Sequence, residues 1–310
     1  MEPAARPPAP PGSPLPPGGR EPPPPRAAEG GRGGGHAVLV GVATALVVVA
    51  ALAVRSRVVF GLLVVAGIFV PLERILALHR QRVLRRGWRT DLVHLVANDL
   101  LSTIGVAVAV VSAGGLLHLL VPDAVGEAVA RQPAWAQLLL ALVVVEMGAY
   151  WSHRAAHRVP VLWRFHRVHH SIGEIDWLAA ARLHPIDQAF GRSCVVLPLF
   201  ALGFERATFG VYVVVVTLWA LFVHANVRVT FGPLRYVVTT PEYHHWHHAA
   251  DPEGRDVNFG GSYPLVDALF GTLHLPKSRW PRRYGLDEPV PAGYLRQLAW
   301  PFRRAPVPTT

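Results

Sequence analysis

Trp151–Ser171 reads WSHRAAHRVPVLWRFHRVHHS, and Glu242–Ala249 echoes it as EYHHWHHA. The two stretches hold His153, His157, His166, His169, His170, His244, His245, His247 and His248, more than half of the chain's 16 histidines. On a helix, His153 and His157 are i and i+4 and project from one face. His166, His169 and His170 are i, i+3 and i+4, again one face, and His244, His247 and His248 repeat that spacing. His245 falls outside the pattern and is expected to point away. Pro160 lacks an N–H and disfavours helix in the residue before it. The first helix should therefore end soon after His157, and a second should bring three rings back toward the first pair. Clustered imidazoles cost stability unless a cation takes their lone pairs, and neutral imidazole is the commonest ligand for zinc, copper, iron and nickel. Eight such nitrogens exceed one metal's coordination number, which implies two metal ions.

The rest of the chain says where these rings sit. It has 310 residues, 51% hydrophobic and only 16% charged, against about 25% charged in a typical soluble domain. That deficit, with long uncharged runs, points to an integral membrane protein. The net charge of +10 does not call for nucleic acid, because the arginines flank apolar runs, as the positive-inside rule requires. Cys194 is the only cysteine, which excludes an intrachain disulfide and a cysteine-based zinc or iron–sulfur site.

Residues 1–36 are Pro/Gly-rich and are expected to be a disordered tail. Residues 37–90 read as N-terminal membrane helices and a basic cytoplasmic loop. His36–Val54 is long enough to span, Val58–Leu72 spans or re-enters, and Glu73–Asp91 carries Arg74, Arg80, Arg82, Arg85, Arg86 and Arg89. Leu100–Val121 should span, with Gly114 and Gly115 allowing close helix approach. Ala134–Tyr150 returns to deliver His153 and His157 on the cytoplasmic side. Ile186–Phe204, kinked at Pro198, and Ala207–Val223 form a second out-and-back pair. Topology derived from arginines thus places all the histidine groups on one face of the membrane. Residues 286–310 read as a tail. The aromatic residues Trp163, Phe165, Trp177 and Trp246 are expected at the membrane interface.

An HX3H pair alone suits a zinc protease, but that chemistry wants HExxH and Arg154 follows His153. A ferritin-like carboxylate site needs a pair of Glu-x-x-His motifs, and no pair of these occurs here. An all-histidine dinuclear site remains. The residues YWSHRAAH, LWRFHRVHHS, RLHP (Arg182–Pro185), HAN (His224–Asn226), TPEYHHWHH, DVNFG and DALFGT resemble the fatty acid hydroxylase/sterol desaturase superfamily of membrane non-haem di-iron oxygenases, over 91–285. The resemblance implies an all-α polytopic membrane helical bundle of about four spans plus interfacial helices, with a cytoplasmic di-metal site. It implies hydroxylation or desaturation of a lipid C–H bond with O2, and two iron ions (Fe2+/Fe3+), zinc being a possible substitute in purified protein. The ligands carried over are His153, His157, His166, His169, His170, His244, His247 and His248, with His184 and His224 as further candidates. Arg228 stands where some members carry another histidine, leaving Asn226 or a water to complete that shell.

Glu146 is an ionisable group inside an apolar run, a rare and usually functional placement. It lies seven residues before His153 on the same face, and is expected to accept a ring N–H from a metal-bound histidine. Asp187, Asp256 and Asn258 are candidates for a similar role or for turns and caps. No Rossmann glycine fingerprint occurs, and His184–Asp187 lacks the glycines of a haem loop. A separate ferredoxin or flavoprotein is therefore expected to supply electrons at the cell membrane. A histidine-lined metal transporter is the competing class, but it would place ionisable groups near the bilayer midplane. A structural zinc protein is the third reading.

Overall fold

The computed structural model describes residues 57–204, 206–277 and 279–303. The expected tail at 1–36 and the first apolar run lie outside them. Among the described residues the chain is helical and has no strand, only isolated bridges at Ala77–Val227 and Ala249–Tyr284. In order come α1 (Arg57–Ile75), α2 (Trp88–Leu120), α3 (Asp123–Ala130), α4 (Ala134–Arg158), α5 (Pro160–His170), α6 (Pro185–Ala201), α7 (Arg206–His224), α8 (Pro241–His247), α9 (Pro264–Leu269) and α10 (Tyr294–Ala299).

Proline sets the helix boundaries that matter for the site. Val159 is extended (φ −96°, ψ 115°), which ends α4, and Pro160 opens α5 at a position where its missing N–H costs nothing. Pro185 and Pro241 open α6 and α8 in the same way. The Thr240 side chain caps α8 by accepting the Tyr243 N–H.

Helix α6 packs between α2 and α4. Contact is close at two glycines: a Cβ on Gly148 would stand 2.5 Å from the Cys194 carbonyl oxygen, and one on Gly105 2.7 Å from the Ala189 Cβ. The side chains around Gly114 and Gly115, where close approach was expected, lie outside the described ones. Helix α7 packs on α8 and on the 3-10 turn Trp177–Ala181. There Phe69, Trp177, Leu178, Leu221, Ala225 and Val227 form a buried apolar cluster.

Among the described residues, α2 (over Trp88–Ala113) and α4 are long and apolar enough to cross a membrane. Only 12% and 17% of their apolar windows is buried, and residues such as Leu100, Val111, Leu139 and Val143 face outward. The second expected pair is present as α6 and α7, with 17 and 19 residues. Helix α6 falls just short of the same length, and Val215–His224 of α7 is a further apolar helical stretch. Trp177 and Trp246 are buried, Trp163 packs on the His157 ring, and Phe165 packs on His184.

Candidate metal centre

The C-terminal end of α4, helices α5 and α8, and the last residue of α7 converge on one place. Nine imidazoles gather there in two groups: His153, His157, His166, His170 and His247 in one, and His169, His224, His244 and His248 in the other. Within each group one nitrogen per ring lies within 4.8 Å of all the others.

Each HX2HH motif is divided between the groups rather than presenting one face. His166 and His170 join the five-histidine group while His169 joins the four; His247 joins the five while His244 and His248 join the four. The reason is helical geometry: consecutive residues diverge by about 100° around the axis. The pair at i+3 and i+4 therefore straddles the face that i occupies.

Outer hydrogen bonds set the tautomers. The Nδ1–H of His153 donates to the Phe259 carbonyl (3.0 Å), that of His247 to Val257 (2.8 Å), that of His169 to Arg182 (3.0 Å) and that of His224 to Ala220 (2.7 Å). A carbonyl only accepts, so these rings carry their proton on Nδ1 and a lone pair on Nε2. Nδ1 of His157 meets Asp256 Oδ1 at 3.2 Å, and Nδ1 of His166 meets Asp187 Oδ2 at 3.0 Å. The Nε2 atoms then face one another. His224 stands 3.2 Å from His169 and 2.9 Å from His244, His244 3.0 Å from His248, and His157 3.1 Å from His170. Between His224 and His169 there is no proton to share. His166 Nε2 and His247 Nε2 are buried without any partner. Burial first, and the neighbouring imidazoles second, hold His170, His244, His247 and His248 well below the ordinary histidine range; His169 is lowered by the same causes. Converging unprotonated nitrogens in a site this dry fit metal cations.

One loop supports the five-histidine group. Asp256, Val257 and Phe259 supply three of its acceptors, with Asp256 and Asn258 at positive φ (54° and 58°). Two buried carboxylates hold that loop. Asp267 Oδ1 accepts the Phe259 N–H (2.7 Å) and the Thr272 hydroxyl, while its Oδ2 accepts the Gly260 N–H (2.8 Å) and the Tyr243 hydroxyl. Glu146 accepts the N–H groups of Gly261 and Ser262, each at 2.9 Å.

This revises the expected role of Glu146, which meets backbone rather than an imidazole. Seven residues carry it round to the face of His153 but leave it about 10 Å away along the axis, beyond hydrogen-bond reach. Asn226 departs as well: its amide pairs with the backbone of His79 (2.9 and 2.8 Å) and its own N–H donates to Glu73. His184 stands outside both groups. The residue before Pro185 is extended, so its ring folds over the start of its own helix. Nδ1 accepts the Ile186 N–H and Nε2–H donates to the Leu298 carbonyl. His224 is the ninth ring of the cluster. His245 points away, toward Tyr284 and the Ala225 carbonyl. Asp187 and Asp256 meet imidazoles, whereas Asn258 braces the loop through Tyr243 and His274.

The four-histidine group rests on a buried ionic lattice. Arg182, whose carbonyl holds His169, donates from Nε to Asp91 (2.5 Å); Arg85 bridges Asp91 (2.7 Å) and Asp176 (2.6 Å). Sequence reasoning missed these supports. The acceptors at 182, 220, 257 and 259 are main-chain carbonyls, which no residue type marks. Asp91 and Asp267 carried a signal only as acidic residues in otherwise weakly charged surroundings.

Residues 138–272 match the profile of the family described as Fatty acid hydroxylase. The ornithine lipid hydroxylase OlsE of Rhizobium tropici is 37% identical over 168 residues, 54% of this chain and 51% of that protein. An alkylglycerol monooxygenase of Danio rerio is 35% identical over 151 residues, 49% of this chain and 33% of its own length. A very-long-chain aldehyde decarbonylase, GL1-10 of Oryza sativa subsp. japonica, is 29% identical over 140 residues, 44% of this chain and 46% of that protein. The chain therefore spans about half of the first relative and a third of the second. No solved structure matches.

Proposed function

We propose that this chain is a membrane-bound di-iron oxygenase of the fatty acid hydroxylase/sterol desaturase superfamily that hydroxylates a C–H bond of a lipid, with 91–285 as its catalytic part; the match of residues 138–272 to the fatty acid hydroxylase family and the relatives named lipid hydroxylase and monooxygenase support it. The observation that carries the reading is the pair of imidazole groups, with Nε2 atoms converging and His224 and His169 facing one another with no proton between them. The five-histidine group would hold one iron and the four-histidine group the other. Iron bound there would supply the activation of dioxygen.

The chain's own residues do the rest. Carbonyls and carboxylates on Nδ1 fix the direction of His153, His157, His166, His169, His224 and His247, so that Nε2 is available without rearrangement. Asp187 and Asp256 strengthen His166 and His157 as donors by receiving their N–H groups. Burial keeps water from the reacting centre and from side reactions. The outward apolar faces of α2 and α4 suit a bilayer, with the histidine end on the cytoplasmic side by the arginine count. A ferredoxin or flavoprotein would deliver the electrons. Hydroxylation is favoured over desaturation because two of the relatives are named hydroxylase or monooxygenase.

The test is lipid analysis of a strain lacking the gene, complemented with wild type or with His169→Ala. Wild type should restore a lipid carrying one extra oxygen atom, and His169→Ala should not. A lipid lacking two hydrogens instead would make the enzyme a desaturase. Metal uptake into vesicles without oxygen consumption would replace the oxygenase by a transporter.

A further inference from the structure

Between the end of α1 and the start of α2, residues 76–87 wrap around two adjoining concavities of about 610 and 510 Å3 that share Arg80, Gln81 and Arg82 in their walls. Arg80, Arg82, Arg86 and Arg89 are exposed there. None of the four side chains pairs with a carboxylate among the described residues. The floor is already neutralised, since Arg85 is buried against Asp91 and Asp176. Of the two acidic residues in the walls, Glu174 accepts the backbone N–H of Arg86, and Glu73 those of Trp177 and Asn226. Several uncompensated guanidiniums thus surround one hollow, a costly arrangement unless an anion enters it.

The neighbours identify the anion. Ile75 is 74% exposed and Leu84 60%, with Leu76 and Val83 also uncovered, interleaved with the arginines. Trp88 lines the cleft at the point where the apolar window of α2 begins. A soluble acidic protein would neutralise the arginines but is a poor match for a stretch that continues directly into apolar helix. The headgroup layer of a bilayer takes both, with phosphates against guanidiniums and the apolar side chains dipping toward acyl chains. We propose that this cleft is a docking site for the phosphate headgroups of anionic phospholipids, one that fixes the histidine-bearing end of the molecule at the bilayer surface. It rests on the membrane part of the functional reading and is independent of the metal.

Native mass spectrometry of the full chain, released from detergent micelles holding equimolar phosphatidylglycerol and phosphatidylcholine, tests it. Wild type should retain phosphatidylglycerol with about tenfold preference, and R80Q/R82Q/R86Q/R89Q should retain the two lipids equally. The single variant R82Q, a milder perturbation, should lower the preference about threefold, while Arg131→Gln, at the C-terminal end of α3, should leave it unchanged. Equal retention by wild type, or undiminished preference in the quadruple variant, would overturn the proposal. So would displacement of the lipid by inorganic phosphate at the same concentration. Binding of a plant-type [2Fe–2S] ferredoxin to wild type without any lipid preference would assign the cleft to a protein and likewise overturn it. Iron content of the same samples keeps the readings apart: preserved lipid preference with no iron sinks the oxygenase and leaves the docking site standing.

Discussion

The two histidine groups touch one another yet are supported in different ways. Three rings of the five-histidine group lean on one loop, Asp256–Ser262, whose four successive N–H groups from Phe259 to Ser262 are received by Asp267 and Glu146. The four-histidine group leans on helix ends: the Ala220 carbonyl lies within α7 itself, and the Arg182 carbonyl is fixed by the Asp91 lattice. One half of the centre is thus held by a local clasp, the other by the packing of the bundle. Damage to the clasp should reach one group alone, and damage to the lattice should reach the whole fold.

Removing a ring should have the largest effect and erase the distinction. His247→Ala or His169→Ala should each lower lipid turnover by about a thousandfold or more, measured as product per chain under O2, since each deletes a donor from a preorganised set. Activity within tenfold of wild type would show that ring to be dispensable. Next, Asp91→Ala strips the counterion from two buried arginines, and breaking such a pair costs about 3–5 kcal/mol. Chemical denaturation of the metal-free protein should show that loss. A variant as stable as wild type would mean that the lattice does not support the fold.

Asp267→Asn should sharpen the contrast further. It keeps the shape of the clasp but weakens it, and should reduce metal affinity at the five-histidine group by about 10–100-fold. Global stability should fall less than in Asp91→Ala. Equal metal loss from both groups would dissolve the difference. Glu146→Gln should be the mildest, about 1 kcal/mol in stability, because an amide oxygen still accepts one of the two N–H groups. Its metal content should stay near wild type.

Acidity acts on both groups together. The rings of His169, His170, His244, His247 and His248 have folded values lowered from 6.5 by burial. Below that pH the unfolded chain binds more protons than the folded one, so stability must fall as pH falls. The melting temperature of metal-free protein should decline from about pH 6.5 downward and be flat above it. A flat profile through that window would contradict the dry, neutral cluster.

Much of this was legible in the chain, and the reasons differ by residue. Pro160, Pro185 and Pro241 dictate helix starts through local sterics, so the break after Arg158 could be read directly. The histidine spacings were visible because ligands are side chains. The sorting of His169 from His170 was not, because it depends on what lies on either side of α5. Glu146 stood out correctly as an ionisable group in an apolar run, but its partner is backbone from more than a hundred residues away. His184 is a candidate by its place beside the motif alone, and the proline after it turns the ring onto its own helix, outside both groups.

The most direct test of a two-ion imidazole centre is anomalous diffraction at the iron edge from crystals of the iron-loaded protein. The arrangement predicts two iron peaks, one among His153, His157, His166, His170 and His247 and one among His169, His224, His244 and His248. A single peak, or iron bound beside His184 and away from both groups, would contradict it.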